Sequence, residues 1–313
     1  VLTSPHPAKK ERRQALEALR RVDVRKLALL SCGAAAVVSA VGLAGRYTFY
    51  RGVMSAELKR QLAAVNKKLD LLTEQNEQLR AELEAAGVRV ETTTYPDALL
   101  ISGYDHLGSL PAFVRGDFYV QDLSAMQAVH AAQIQKGWNI IDVCAAPGGK
   151  AIHAAQLMES TGHVQARDLT EYKVDLILDN IDRCHAGNVS AKVWDATVSD
   201  PEAAGSADLV IADLPCSGLG VLHGKPDIKY RMTREQTDEL AALQRQILSV
   251  VQSYVKPGGR LVYSTCTVNR AENEDNAAWF AQNYPSFEKS SEQQILPDDR
   301  QDGFYIAVFD RKD

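Results

Sequence analysis

The chain has 313 residues, 45% hydrophobic and 24% charged, a balance that excludes a disordered polymer and fits one sizeable domain with an appendage, or two domains. Its net charge of −5 gives no chain-wide basic signature, so any nucleic-acid contact has to come from a local patch. Five cysteines, Cys32, Cys144, Cys184, Cys216 and Cys266, lie far apart without a CxxC pair; that spacing fits neither a zinc site nor a disulfide scaffold and suits a reducing compartment.

In chain order, a basic leader carries Lys9, Lys10, Arg12, Arg13, Arg20, Arg21, Arg25 and Lys26. The run 27–45 that follows has no charged residue and is flanked by Lys26 and Arg46. It is at the lower limit of length for a membrane anchor, and a buried or peripheral helix is the other reading. Leu62, Val65, Leu69, Leu72, Asn76, Leu79, Leu83 and Ala86 then recur at steps of three and four. That seam predicts a helix over 57–86, either pairing weakly with a second copy through 62–86 or lying on its own domain. Gly87 is placed to end it. The segment 87–122, punctuated by Pro96, Gly103, Gly108, Pro111 and Gly116, reads as a small β-rich connector.

The remainder, 123–313, alternates strand and helix patterns, as expected of doubly wound α/β structure. Expected are a helix over 124–132, strands over 163–167, 191–194, 207–212 and 260–263, helices over 171–182 and 233–255, and final strands from 304–309. Ile140, Ile141 and Val143 mark a buried strand that turns through Pro147, Gly148 and Gly149 into a helix. In an open α/β sheet that turn opens onto the ligand crevice. The turn has neither GxGxxG spacing nor a GxxxxGK[ST] loop. Asp168, Asp195 and Asp213 stand at three strand ends; each alone is an ordinary cap or turn residue, and together they line a crevice. A carboxylate after the second strand can accept both ribose hydroxyls. The combination favours a nucleoside ligand without a pyrophosphate, with S-adenosylmethionine the obvious candidate. Cys216 and Cys266 follow adjacent core strands, so the two thiols can meet over the same crevice; they are either small buried apolar residues or a nucleophile and its partner.

The stretches DVCAAPGGK at 142–150, RDLTEYKVDLI at 167–177, DLPCSGLG at 213–220, KPDIKY at 225–230, STCT at 264–267 and DGFYIA at 302–307 resemble the bacterial Sun-type RNA cytosine-5 methyltransferases. The resemblance runs from about Leu83 to the C-terminus. It implies a class I S-adenosylmethionine-dependent, Rossmann-like methyltransferase fold acting in the cytoplasm on RNA, with small-subunit ribosomal RNA as substrate. On the matching positions, Cys144, Ala145, Ala146, Pro147, Gly148, Gly149 and Lys150 would wrap the cofactor, with Asp168 on the ribose, Lys173 close by, Asp195 by the adenine and Asp213 facing both cofactor and base. Cys266 would be the nucleophile and Cys216 the cysteine that assists product release. Lys225, Lys229 and Arg231 form a basic stretch suited to flanking phosphates. The chain departs from the family at Ala151, where Thr is usual. It also departs over the first eighty or so residues, which stand where the family has a helical domain and a small RNA-binding domain. A transfer-RNA methyltransferase and a membrane-tethered, non-catalytic RNA-binding or scaffold protein are the alternatives.

Overall fold

The computed structural model describes residues 56–95 and 97–313; the basic leader and the apolar run 27–45 lie outside the described residues. The chain divides into two compact units, Val1–Val114 and Arg115–Asp313.

In the first unit, helix α1 (Ala56–Ala85) covers the heptad seam. It ends as Gly87 predicts: Gly87 adopts φ +83°, and the Val88 N–H reaches back to the Leu83 carbonyl at 3.0 Å. That bond closes the helix end by satisfying one of its free carbonyls. Strands β1 (Arg89–Thr92) and β2 (Leu99–Ser102) then form an antiparallel pair. The rest of the stretch expected to be extended forms a 3-10 turn at Leu107–Ser109 and a one-turn helix at Pro111–Val114. Among the described residues no helix is long and apolar enough to cross a membrane.

The second unit begins with α2 (Leu123–Ala131), capped by the Asp122 side chain, and continues through β3 (Asn139–Asp142), α3 (Gly149–Leu157), β4 (His163–Asp168), α4 (Glu171–Arg183), β5 (Val189–Val193) and β6 (Ala207–Asp213). It closes with α5 (Arg234–Val251), β7 (Val255–Thr265), α6 (Glu274–Asn283), β8 (Phe287–Ile295) and β9 (Phe304–Arg311). The seven strands lie in the order β5-β4-β3-β6-β7-β9-β8. β3 to β7 are parallel, while β9 runs antiparallel to both β7 and β8.

Strand parity builds the layers. Leu209 and Ile211 of β6 join one core with Ile152, Met158 and Ile177 from α3 and its surroundings. Val210 and Ala212 join the other with Ile247, Leu248 and Phe280 from α5 and α6. On a sheet covered on both faces period-2 alternation buries both parities, which explains the apolar run Leu209–Ala212 at the centre of β6. Each fully buried Leu, Ile or Phe contributes about 1.5–3 kcal/mol. The chain winds outward from β3 in both directions, so the crevice opens at the carboxyl ends of β3 and β6.

Two elements differ from expectation. The helix expected over 233–255 stops at Val251, because Val255 pairs with Ala207 and starts β7. The Pro257-Gly258-Gly259 turn survives as a bulge inside that strand, with Gly258 at φ +70°. α6 and β8 lack a sequence signal. β8 is exposed at six of nine positions, as suits a charged edge strand that resists pairing with another chain.

Candidate active site

The glycine turn is held from three sides. The Asp168 carboxylate accepts the Ala146 N–H (3.0 Å) and the Leu169 N–H (2.8 Å), and the Ala145 N–H donates to the Arg167 carbonyl (2.8 Å). Asn180 Nδ2 donates to the Pro147 carbonyl (3.0 Å). Gly148 sits at φ +107° as the residue before α3, and among the described residues no side chain caps that helix. A side chain at Gly148 would be strained by that backbone angle, and the free N–H groups of α3 suit a carboxylate. The Asp168 carboxylate also pairs with Lys173 Nζ at 3.0 Å. Three of its four acceptor positions are therefore occupied, and binding both ribose hydroxyls requires Lys173 to swing out. Asp195 lies two residues past β5, where one oxygen accepts from the Thr197 N–H (2.8 Å) and hydroxyl (2.7 Å); the other oxygen keeps its acceptor capacity. Three carboxylates, an uncapped helix end and a glycine turn fit an adenosyl amino-acid ligand.

At the neighbouring strand ends, Lys150 Nζ meets Asp213 Oδ2 at 2.6 Å, and Ser264 Oγ donates to Asp213 Oδ1 at 2.8 Å. The ammonium also lies 5.3 Å from the Phe304 ring centroid. Burial works to lower the Lys150 pKa, yet Asp213 and, further off, Asp142 hold it above the ordinary lysine value. Asp142, at the end of β3, is fully buried, with the Cys144 backbone N–H directed at its carboxyl. Burial, and then the Asp213 and Asp168 charges, push it up to about 7 against the pull of Lys150.

The two expected cysteines meet: Cys216 Sγ and Cys266 Sγ are 3.3 Å apart. Their hydrogen bond lowers Cys266 below the ordinary thiol value and holds Cys216 well above it. Ionising one thiol beside another makes the second harder to ionise, and the Lys150 charge acts on Cys266. The direction of these effects favours ionisation at Cys266, with Cys216 within hydrogen-bond distance of it. Cys144, beside the same crevice, is pushed far up by burial and by Asp142, Asp168 and Asp213, so it stays a thiol. Cys184 has no neighbour of this kind, and burial raises it.

Sequence reasoning missed the groups that hold this pair. Gly220 donates its N–H to the Cys266 carbonyl (3.1 Å) and accepts from the Gly303 N–H (2.8 Å). A Cβ on Gly220 would lie 2.0 Å from the Gly303 carbonyl oxygen, which explains glycine in both DLPCSGLG and DGFYIA. Ser264 and Phe304 lie in the STCT and DGFYIA stretches but had no role assigned, and Gln244, Glu272 and Asn273 were unmarked. The one sequence signal for Glu272 and Asn273, the polar cluster Asn269–Asn276 after a core strand, looks like an ordinary solvated loop.

A family model described as 16S rRNA methyltransferase RsmB/F matches residues 129–310. The chain is 34% identical over 242 residues to the probable ribosomal RNA small subunit methyltransferase B of Bacillus subtilis (strain 168), covering 76% of this chain and 54% of that protein. It is 36% identical over 181 residues to ribosomal RNA small subunit methyltransferase F of Cronobacter sakazakii, covering 57% of this chain and 38% of that one. Among solved structures, PH0851 matches with a TM-score of 0.72 at 30% identity, over 75% of this chain and 56% of that one. NSun6 from Pyrococcus horikoshii with SFG matches with a TM-score of 0.60 at 28% identity, over 67% and 57%. The chain spans about half the length of the curated relatives it matches.

Proposed function

The chain belongs to the 16S rRNA methyltransferase RsmB/F family, and from that premise we propose that it methylates C5 of cytosine in RNA, with small-subunit ribosomal RNA as substrate, through a covalent bond between Cys266 and C6. The methyl donor is S-adenosylmethionine, which supplies a methyl group on a sulfonium sulfur. The observation that carries the proposal is the 3.3 Å thiol pair beside the Lys150–Asp213 ion pair.

C5 of cytosine is a poor nucleophile. Addition of the Cys266 thiolate to C6 pushes electron density onto C5, dividing one hard substitution into easier steps. Asp213, fixed by Lys150 and Ser264, faces N3 and shares a proton with it as charge develops on the ring. After methylation, the C5 proton passes to Cys216 or to a water that it positions; the C5–C6 double bond re-forms and Cys266 leaves as the thiolate. Residues 144–150 would wrap the methionine end of the donor, Asp168 would take the ribose hydroxyls once Lys173 swings aside, and Asp195 would lie by the adenine. The target base must leave its stack to reach the thiols. Lys225, Lys229 and Arg231 suit the flanking phosphates, and Tyr230, 81% exposed beside Lys229 Nζ, offers a ring for a neighbouring base. Donor and RNA together put this domain in the cytoplasm.

The test is transfer of labelled methyl from S-adenosylmethionine to an unmodified small subunit or its RNA, mapped at base resolution. Cys266→Ala is expected to abolish incorporation, while Cys216→Ala traps a covalent protein–RNA adduct. Incorporation into transfer RNA alone would redirect the substrate assignment. No incorporation into any RNA would overturn the activity.

A further inference from the structure

We propose that Glu272 and Asn273 are positioning residues that set the separation of the two thiols, Glu272 gripping the Cys216 loop and Asn273 the Cys266 loop. The inference rests on the reading of Cys266 as nucleophile and deepens it; the stretches quoted for the family resemblance do not include these two side chains.

The carboxylate of Glu272 is fully buried. Its Oε2 accepts from the Ser217 N–H (2.8 Å) and Gln244 Nε2 (3.1 Å). Its Oε1 accepts from the Ser217 hydroxyl (2.5 Å) and Asn269 Nδ2 (2.9 Å). All four acceptor positions are filled by neutral donors. Gln244 also holds the Pro215 carbonyl at 2.8 Å, so both chain neighbours of Cys216 are tied to this one network.

Asn273, also fully buried, does the same for the other loop. Its Oδ1 accepts from the Thr265 hydroxyl (2.6 Å), and its Nδ2 donates to the Thr267 carbonyl (2.9 Å). Both chain neighbours of Cys266 are thereby fixed. A direct strut joins the two loops, where the Ser217 and Thr267 hydroxyls lie 2.8 Å apart. Two consecutive residues therefore connect loops that are 50 residues apart in sequence.

A buried carboxylate held by neutral donors is costly to desolvate, and an apolar filler serves stability at least as well. What a filler cannot supply is direction: hydrogen bonds to ionised groups are short and directional. A shift of about 1 Å between the sulfurs breaks the bond that lowers Cys266, and a misplacement of that size costs about 100-fold in rate.

Glu272→Gln keeps the shape and turns one acceptor into a donor facing donors. In the full chain, three results are expected. The pH midpoint for iodoacetamide alkylation of Cys266 rises toward the ordinary thiol value. Formation of the Cys216–Cys266 disulfide with glutathione disulfide slows about 10-fold; in that exchange two thiols lose two protons and two electrons, and one glutathione disulfide becomes two glutathione molecules. S-adenosylmethionine affinity stays within twofold while kcat falls about 100-fold. Ser217→Ala removes one bond from the same carboxylate together with the strut to Thr267, and gives the same signature should Glu272→Gln fail to fold. An unchanged alkylation midpoint and exchange rate in either folded variant would overturn the proposal, as would a wild-type chain that forms no such disulfide. The thiol readouts need neither donor nor RNA. A wild-type chain without methyl transfer, whose variants still show altered thiol chemistry, would remove the enzymatic reading and leave this inference standing.

Discussion

The two halves of the crevice are built differently. The half at β3, β4 and β5 is held at its main-chain groups by neighbouring elements: the Asp168 carboxylate takes the Ala146 and Leu169 N–H groups, the Arg167 carbonyl takes the Ala145 N–H, and Asn180 holds the Pro147 carbonyl. The half at β6 and β7 is held by buried side chains, with Glu272, Asn273 and Gln244 tying two loops together. A turn tied to the next strand end and helix is placed by adjacent elements. A site made from side chains depends on a third segment arriving in register. The first kind suits a cofactor of fixed shape, and the second suits two atoms whose spacing controls their ionisation.

The sharpest test of that contrast is Lys150, the residue that belongs to both halves. Lys150→Gln removes the positive charge that favours the Cys266 thiolate, so the alkylation midpoint of Cys266 is expected to rise. Because the thiolate is the active form, activity in the variant then rises later along the pH axis, and near-neutral methyl transfer falls at least about 10-fold. A midpoint unchanged in this variant would assign the lowering of Cys266 to Cys216 alone.

Next in size is Asp168→Ala. It leaves the Ala146 and Leu169 N–H groups without their acceptor, a loss of about 1–3 kcal/mol, and frees Lys173. Equilibrium dialysis should show S-adenosylmethionine binding weakened about 10-fold or more, with the alkylation midpoint of Cys266 unmoved. A shifted midpoint would mean that the two halves are not independent.

The smallest effect is a pH dependence of stability from Asp142. Its carboxyl is raised to about 7 in the folded chain, so the folded state keeps a proton that the unfolded chain has already released. Stability from this group is present below the ordinary carboxylate range and is lost as pH rises through about 7. Asp142→Asn removes that loss. Its Tm should exceed the wild type at pH 8, with the gain shrinking toward pH 5. An equal gain at both pH values would place the effect in packing instead.

How much was legible follows the same division. The glycine turn, the strand-end carboxylates and the thiols after adjacent strands come from contiguous stretches whose local pattern carries the signal. β5 begins two residues before its expected start, at Val189, an ordinary boundary error. β8 and α6 were invisible because an exposed edge strand and a helix burying Asn276 have no apolar periodicity.

The amino-acid order by itself determined the doubly wound sheet and the residues that reach its carboxyl edge, because strand parity and turn chemistry are local properties. Only the tertiary structure decided that Cys216 and Cys266 stand 3.3 Å apart and that the Lys150 charge acts on Cys266. Both follow from distances between segments remote in the chain, where a displacement of an ångström breaks a hydrogen bond and no composition or spacing records it.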